Sequence, residues 1–351
     1  HTCFFPLYAR IYERPELTWL WEHVTGHRTD PSDIYGDGRN AAQPMLNYII
    51  LWHALAPEAM APEQVDKPLS ARFSRRGMVL ARSGWAPDDC LLSFICGGDP
   101  EYGHRQYDAG HFSLYRGQSA LAGDSGYGGK NTEDHNGVLF DGKGQQLKCA
   151  EGRITAYEPG ELATYACGNL GDLYNNEALR SYSRHILFCH DKQRPYMVVY
   201  DELEADGAEH TYTWVMQGIN ATGFMISGEG MRFDLSGEYP VIFDDNSGWQ
   251  MSVMLFASQP PTFTQDINET KWSATANIIE HPRLRGDVTT SGSPDFLAFL
   301  YPRREGDPVP TVTRVAPHAL RINWPDCTDL VAFAPAETDG LHTESVGFIR
   351  K

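Results

Sequence analysis

The sequence predicts an α+β chain: a short helical opening followed by antiparallel β-sandwich layers. Three observations predict it. Apolar residues recur at helical spacing only within residues 1–65. After Pro68, segments of four to ten residues rich in Val, Ile, Phe, Tyr and Thr recur between Asp-Gly and Gly-rich turns. No helical run separates these segments, so the βαβ alternation of a parallel sheet is missing.

The helical opening begins with Pro15 near a helix start, and Leu17, Leu20, Trp21 and Val24 share one face. Thr25-Gly26 suits its end. A loop rich in Asp, Pro and Gly covers Asp30 to Asn40. A second helix is expected over Ala41 to Leu55, with Met45, Tyr48, Ile49 and Trp52 at helical spacing. Ala56-Pro57 and Ala61-Pro62 stop it. Two such helices cannot bury all their apolar faces alone, so they read as the last hairpin of a larger helical domain.

The β region alternates over Phe73 to Trp85 and runs apolar from Cys90 to Cys96. Further strands are expected at His111–Arg116, Val138–Asp141, Arg153–Tyr157, Ser183–Cys189, Tyr196–Asp201, His210–Met216, Val241–Asp244, Met251–Ala257, Phe296–Tyr301, Ala319–Trp324 and Leu330–Ala334. The region is long for one sandwich. A boundary near Gln259-Pro260-Pro261 divides it into a central sandwich, 66–260, and a C-terminal β domain, 261–351.

Length and composition fit this plan. The 351 residues can form two or three domains, and 41% are hydrophobic. No apolar run approaches the roughly 20 residues of a membrane span. The net charge of −17 argues against a nucleic-acid partner, whose phosphates need a basic face. An acidic ligand is still admissible, because a local basic cleft can sit on an acidic protein. The seven cysteines have no CxxC pair and form neither a disulfide framework nor a zinc ribbon; Cys90 and Cys96 could pair, but read better as buried small hydrophobes. The opening His1-Thr2-Cys3-Phe4-Phe5-Pro6 has neither an initiator nor signal-peptide character, so the chain reads as the later part of a longer one.

The candidate site lies in residues 97–146, where His104, Tyr107, His111 and His135 fall among Arg105, Asp108, Asp124 and many glycines. The polar groups gather at strand ends and loops, where rigid scaffolds carry active sites. Three readings compete. His104, helped by Tyr107, could act as a general acid or base, because histidine titrates near neutral pH. His111, Asp124 and His135 are chemically suited to a divalent cation, although spacings of 13 and 11 match no compact zinc signature. Or the groups satisfy one another's hydrogen bonds around buried loops. His185, His190, His210 and His281 read as structural or surface groups, and Trp85, Trp214, Trp249, Trp272 and Trp324 as core.

Several runs in this order resemble the heparinase II/III-like polysaccharide lyases, and within them the exo-acting oligoalginate lyase and exo-heparinase branch. They are Arg82-Ser-Gly-Trp85; His104 with Asp108-Ala-Gly-His-Phe-Ser-Leu-Tyr115; Leu121-Ala-Gly-Asp-Ser-Gly-Tyr-Gly128; His135-Asn136 with Asp141-Gly-Lys-Gly-Gln145; Arg184-His-Ile-Leu-Phe188; and Tyr196-Met-Val-Val-Tyr-Asp-Glu-Leu203. The resemblance implies that residues 1–65 end an N-terminal α/α toroid that precedes the antiparallel β-sandwich layers. It also implies exolytic β-elimination on a uronic-acid-containing oligosaccharide or polysaccharide. His104 then matches the catalytic sandwich histidine, with Arg105, Tyr107 and His135 as substrate contacts. A tyrosine and a His or Asn on the toroid, upstream of this chain, would complete the site. Gln106 stands where relatives with a zinc site carry a histidine ligand. Asp124 matches the aspartate ligand and His135 opens the matching strand. The substrate class points to a periplasmic or secreted protein, with a cytoplasmic one compatible, and a homo-oligomer is equally compatible. The alternatives carried from the residues themselves are a non-catalytic carbohydrate-binding or structural β-sandwich and a metal-dependent glycan hydrolase.

Overall fold

The computed structural model describes residues 5–24, 51–97, 106–117, 119–126, 128–148, 151–218, 223–227, 232–236, 248–271, 278–333, 336–338, 341–343 and 346–351. The chain divides into two compact units, His1–Pro68 and Leu69–Lys351.

In the first unit, helices Phe5–Ile11 and Pro15–Val24 pack together. The second begins at Pro15, whose missing N–H is harmless in a first turn. Glu16 is buried there and accepts from Lys67 Nζ at 2.7 Å and from Arg14. The first helix, seven residues long, falls within the stretch 1–65 expected to be helical, although its own bounds were not marked. The helix expected over Ala41 to Leu55 lies largely outside the described residues, and 51–54 are helical. The described residues of this unit form no α/α toroid.

The second unit is built of antiparallel sheets. An eight-stranded middle sheet runs in the order Gly223–Ser227, Arg232–Ser236, Trp249–Ala257, Asp295–Arg304, Tyr196–Ala205, Leu179–Cys189, Ala163–Asn169, Arg153–Pro159. Its two faces follow the period-two alternation of a strand. Tyr182, Ile186, Phe188, Met197, Val199 and Leu203 point to one core. Leu187, Cys189, Tyr196, Val198, Tyr200 and Phe299 point to the other. The first core is closed by a five-stranded front sheet, Ser70–Phe73, Met78–Arg82, Cys90–Ile95, Phe112–Arg116 and Ser119–Ala122. It is also closed by a flanking sheet of Thr262–Lys271, Ile278–Thr290, His210–Gln217 and Val138–Phe140. The second core is closed by a back sheet of Thr311–Ala316, Ala319–Asn323, Thr328–Phe333 and Val346–Arg350. A middle sheet buried on both faces explains why its central strands are nearly continuous apolar runs.

Each expected strand overlaps an observed one, with His111, Asp141 and Trp324 falling one residue beyond it and Ala334 outside the described residues; Val241–Asp244 lies outside the described residues altogether. The alternating stretch Phe73 to Trp85 belongs to two strands joined by a short turn, Ser74–Arg76, with Gly77 at φ 56. Sheet pairing crosses residue 260. Asp295–Arg304 pairs with both Trp249–Ala257 and Tyr196–Ala205, and Ile278–Thr290 pairs with His210–Gln217. The separate back sheet begins only at Thr311. Gln259-Pro260-Pro261 is thus a connection between layers: two prolines interrupt strand pairing without ending the fold. Cys90 and Cys96 are free, buried thiols. Trp214 and Trp324 are core, Trp249 lies between the guanidinium groups of Arg116 and Arg304, and Trp272 is outside the described residues.

Candidate active site

The candidate stretch is anchored from below by one buried ion pair. Arg184, on strand Leu179–Cys189, donates through Nε and Nη2 to the two carboxylate oxygens of Asp201, at 2.6 and 2.9 Å. Both side chains are fully buried. Burial alone would lower the arginine's pKa, but Asp201 overrides it and the net shift is upward. Tyr182 adds a hydroxyl bond to Asp201 at 2.9 Å. The remaining nitrogen, Nη1, donates to the carbonyls of Gly110 and Asn136 at 2.7 and 2.6 Å. A single fixed guanidinium therefore ties together the segment leading into His111 and the segment leaving His135. Gly110 can serve because its φ of +82 suits glycine and because a Cβ would meet Leu170 at 2.9 Å.

Asn136 braces the same point. Its backbone N–H donates to His111 Nδ1 at 3.1 Å, its Nδ2 to the Phe112 carbonyl at 2.8 Å, and its Oδ1 accepts the Gln217 N–H at 2.7 Å. Because Nδ1 of His111 accepts, its proton sits on Nε2, which donates to Ser113 Oγ at 3.0 Å. Burial pushes the His111 pKa down to about 3, with Asp124 opposing and His135 and Arg184 assisting. His111 is a neutral, fully engaged strand-end group with no lone pair left for a cation.

His135 is its opposite. The rings lie 5.3 Å apart edge to face. His135 Nδ1 is 3.4 Å from Asp124 Oδ2, an ion-pair distance too long for a good hydrogen bond, and neither ring nitrogen has a hydrogen-bond partner among the described residues. Burial lowers the imidazole's pKa, but Asp124 overcomes it and the net shift is upward. For Asp124, burial raises, while His135, His111 and the Gly126 N–H lower, and the carboxylate ends below its usual range. Gln106 Oε1 is likewise buried and unsatisfied among the described residues. Among these residues no three His, Cys, Asp or Glu side chains converge as a cation site. Asp124 and His135 keep donor atoms for one, but His111 does not join them.

Tyr107 lines a cleft of about 280 Å³ with Thr132, Glu133, Gln145 and Gln146. Its backbone is pinned on both sides: its N–H donates to the Lys130 carbonyl at 3.0 Å, and its carbonyl accepts from Thr132 Oγ1 at 3.1 Å. Gln145 grips the next turn of chain, donating to the Ala109 carbonyl at 2.7 Å and accepting its N–H at 3.3 Å. Asp141-Gly142 shapes the rim as a tight turn, with φ of 51 and 70 and paired Phe140 and Lys143. Behind Asp124, Ser125 Oγ is 3.1 Å from His281 Nε2, and Asn268 Nδ2 reaches Ser125, Asp134 and Gln217 within 3.3 Å. Burial lowers the His281 pKa to about 4, which keeps that imidazole neutral near neutral pH.

The structure thus brings His111, Asp124 and His135 to one sheet end and sets Tyr107 in a cleft beside it. His104 and Arg105 lie outside the described residues. Reasoning from sequence missed the work of Thr132, Gln145, Gln217, Asn268 and His281. Gln145, Asn136 and Arg184 stood inside the motif runs, but their role as braces was not visible. Gln217, Asn268 and His281 are joined to Ser125 and Asn136 across 81 to 156 residues, which no local pattern signals.

No protein-family model matches the sequence, and no curated protein matches it. Solved structures do. A heparinase III superposes with a TM-score of 0.61 at 16% identity, over 92% of this chain and 47% of its own. The heparan sulfate lyase HepC from Pedobacter heparinus gives 0.61 at 15% identity, over 96% and 47%. Another heparinase III gives 0.60 at 14%, over 92% and 48%. The chain spans about half the length of these structures. At such identities the likeness concerns fold, and the antiparallel β layers described above are those of a heparinase-like fold.

Proposed function

We propose that this chain is the β-layered portion of a polysaccharide lyase that cleaves a uronic-acid-containing glycan by β-elimination. The observation that carries the reading is the heparinase-like fold, extending over nine-tenths of the chain, with a braced polar sheet end where the motif histidines fall. The structural likenesses are to heparinase III and a heparan sulfate lyase, so a sulfated glycosaminoglycan stands before alginate as substrate. A polymer of that size places the protein in the periplasm or outside the cell. Among the described residues no helix is long and apolar enough to cross a membrane.

In the proposed reaction a base takes the C5 proton of the uronic acid. The electron pair forms the C4–C5 double bond, the C4–O bond breaks, and an acid protonates the departing oxygen. The sugar carboxylate must be neutralised as charge develops. His104 is the proposed acid–base group of this chain. Arg105, Tyr107 and His135 are the proposed substrate contacts, and Asp124 beside His135 favours the protonated, donor form of its ring. The remaining tyrosine and His or Asn would come from toroid helices preceding this chain. Exolytic action is part of the proposal and rests on the motif resemblance alone.

The test is the unsaturated uronide, which absorbs in the ultraviolet. The full protein should generate it from heparan sulfate, and His104→Ala should lower kcat by about 10²–10⁴-fold with the fold retained. Binding without product would favour the non-catalytic module. A rapid fall in polymer viscosity would overturn the exolytic part.

A further inference from the structure

A second cleft, of about 350 Å³, opens where the first strand of the front sheet meets the outer strand of the middle sheet. Its size is that of a small-ligand site. Arg72, Ser74, Glu151 and Arg153 line it, and all four are exposed. Arg72 lies on Ser70–Phe73 and Arg153 on Arg153–Pro159. The strands are held together by Ser70 Oγ and Tyr157 Oη at 3.0 Å.

The two arginines are arranged differently from four others among the described residues. Arg184, Arg283, Arg314 and Arg350 all bind carboxylates. Arg72 donates through Nη2 to the Ile154 carbonyl at 3.0 Å, which fixes its guanidinium beside residue 153 and leaves its other N–H groups to the opening. Arg153 has no side-chain hydrogen bond or ion pair among the described residues, although Glu151 lines the same cleft. No side chain fills the floor: a Cβ on Gly97, whose φ is +106, would lie 2.3 Å from the Gly152 carbonyl. Two exposed arginines therefore line an open cleft on a chain of net charge −17. Gly97, at the floor, is seven positions before His104.

We propose that this cleft is an anion subsite, in which Arg72 and Arg153 clasp a sulfate or carboxylate of an acidic glycan. The proposal rests on the lyase reading for its ligand class. A forked guanidinium suits either oxyanion, and a pair of them binds by charge-assisted hydrogen bonds. Ser74 supplies a hydroxyl donor at the rim.

The test is calorimetric titration of the full protein with three probes: a sulfated uronic-acid tetrasaccharide, its desulfated counterpart and inorganic sulfate. Arg72→Ala and Arg153→Ala should each weaken tetrasaccharide binding about tenfold or more. Arg72→Lys should lose less, and raising the salt should weaken the wild type more than the variants. Both residues are exposed, so the thermal midpoints should stay close to wild type. A loss on desulfation assigns the site to sulfate, and equal binding of the desulfated probe assigns it to carboxylate; either supports the subsite if the alanine variants weaken it. Unchanged tetrasaccharide affinity in both variants overturns it. So does an effect of the variants confined to inorganic sulfate. Ultraviolet product from the wild type is measured in parallel. Binding that depends on the arginines without product sinks the lyase reading alone, while product with arginine-independent binding sinks the subsite alone.

Discussion

Asp201 and Asp329 are fully buried carboxylates serving opposite faces of the middle sheet, and each is held by an arginine and a tyrosine. Their arginines differ. Arg184 is wholly buried and directs its remaining donor to the carbonyls of Gly110 and Asn136, the backbone of the candidate site. Arg350 is 25% exposed and directs its own to Asp191 and Cys189, closing the last strand onto the sheet. Trp324 Nε1 adds a third donor to Asp329 at 3.1 Å. The same chemical unit is thus used once to position a site and once to close a fold.

Removing a carboxylate should separate these uses. Asp201→Asn should cost about 3–5 kcal/mol, because it strands a buried guanidinium charge. Urea midpoints would show this, and activity should fall with it. Replacing both Arg184 and Asp201 by leucine should recover part of the stability but none of the activity, since the two carbonyls stay unheld. Asp329→Asn should cost less, about 2–3 kcal/mol, since Arg350 can turn to water. It should leave turnover within a few-fold of wild type. Equal loss of activity from Asp201→Asn and Asp329→Asn would erase the distinction.

The layered plan was legible because its signals are local. Alternation marks half-buried strands, and Asp141-Gly142 marks a turn that requires left-handed backbone. Which strands pair was not legible: the 186 residues separating Arg116 from the Pro302 carbonyl it binds leave no trace in either neighbourhood. The site was legible as chemistry and not as geometry. His111 and His135 look alike in sequence, yet one is neutral and fully engaged while the other carries an unsatisfied ring beside Asp124. The difference comes from Asn136, whose backbone N–H fixes the tautomer of His111 alone.

That contrast predicts a pH response on the site side of the sheet. The folded pKa of His111, about 3, lies below its ordinary 6.5. Between those values the unfolded chain binds the extra proton, so stability is full above 6.5 and falls toward acid. About 2 kcal/mol should be lost between pH 6.5 and pH 5. His135, raised, contributes stability that is present below 6.5 and lost only as pH climbs through its folded value, so the two effects separate along the scale. His111→Gln should reduce the acid-side slope in urea unfolding, leaving the part that His281, also lowered by burial, supplies; an unchanged slope would assign it elsewhere. Smaller again is Gln145→Ala, at about 1–2 kcal/mol for the two bonds it makes to Ala109. Faster amide exchange confined to residues 107–110, with reduced kcat, is the expected signature.

The smallest effect belongs to His210, at the exposed end of the flanking sheet, where a charged cluster has no buried anchor. Its Nδ1 is 2.8 Å from Asp141 Oδ2 and its Nε2 3.0 Å from Asp206 Oδ1. Asp141 first, then Asp206, raise its pKa above the usual histidine value. The favourable pairing is therefore present at acid pH and lost as pH rises through that raised value. Solvent screens such a pair, so Asp206→Asn should leave the urea midpoint unchanged within error. In an NMR titration it should still move the His210 midpoint down toward 6.5. Asp141→Asn should move it further, since Asp141 contributes more and also accepts the Thr211 N–H at 2.9 Å. A large stability loss from Asp206→Asn would mean that surface pairs anchor this fold as strongly as buried ones, and the contrast between Asp201 and Asp329 would lose its physical basis.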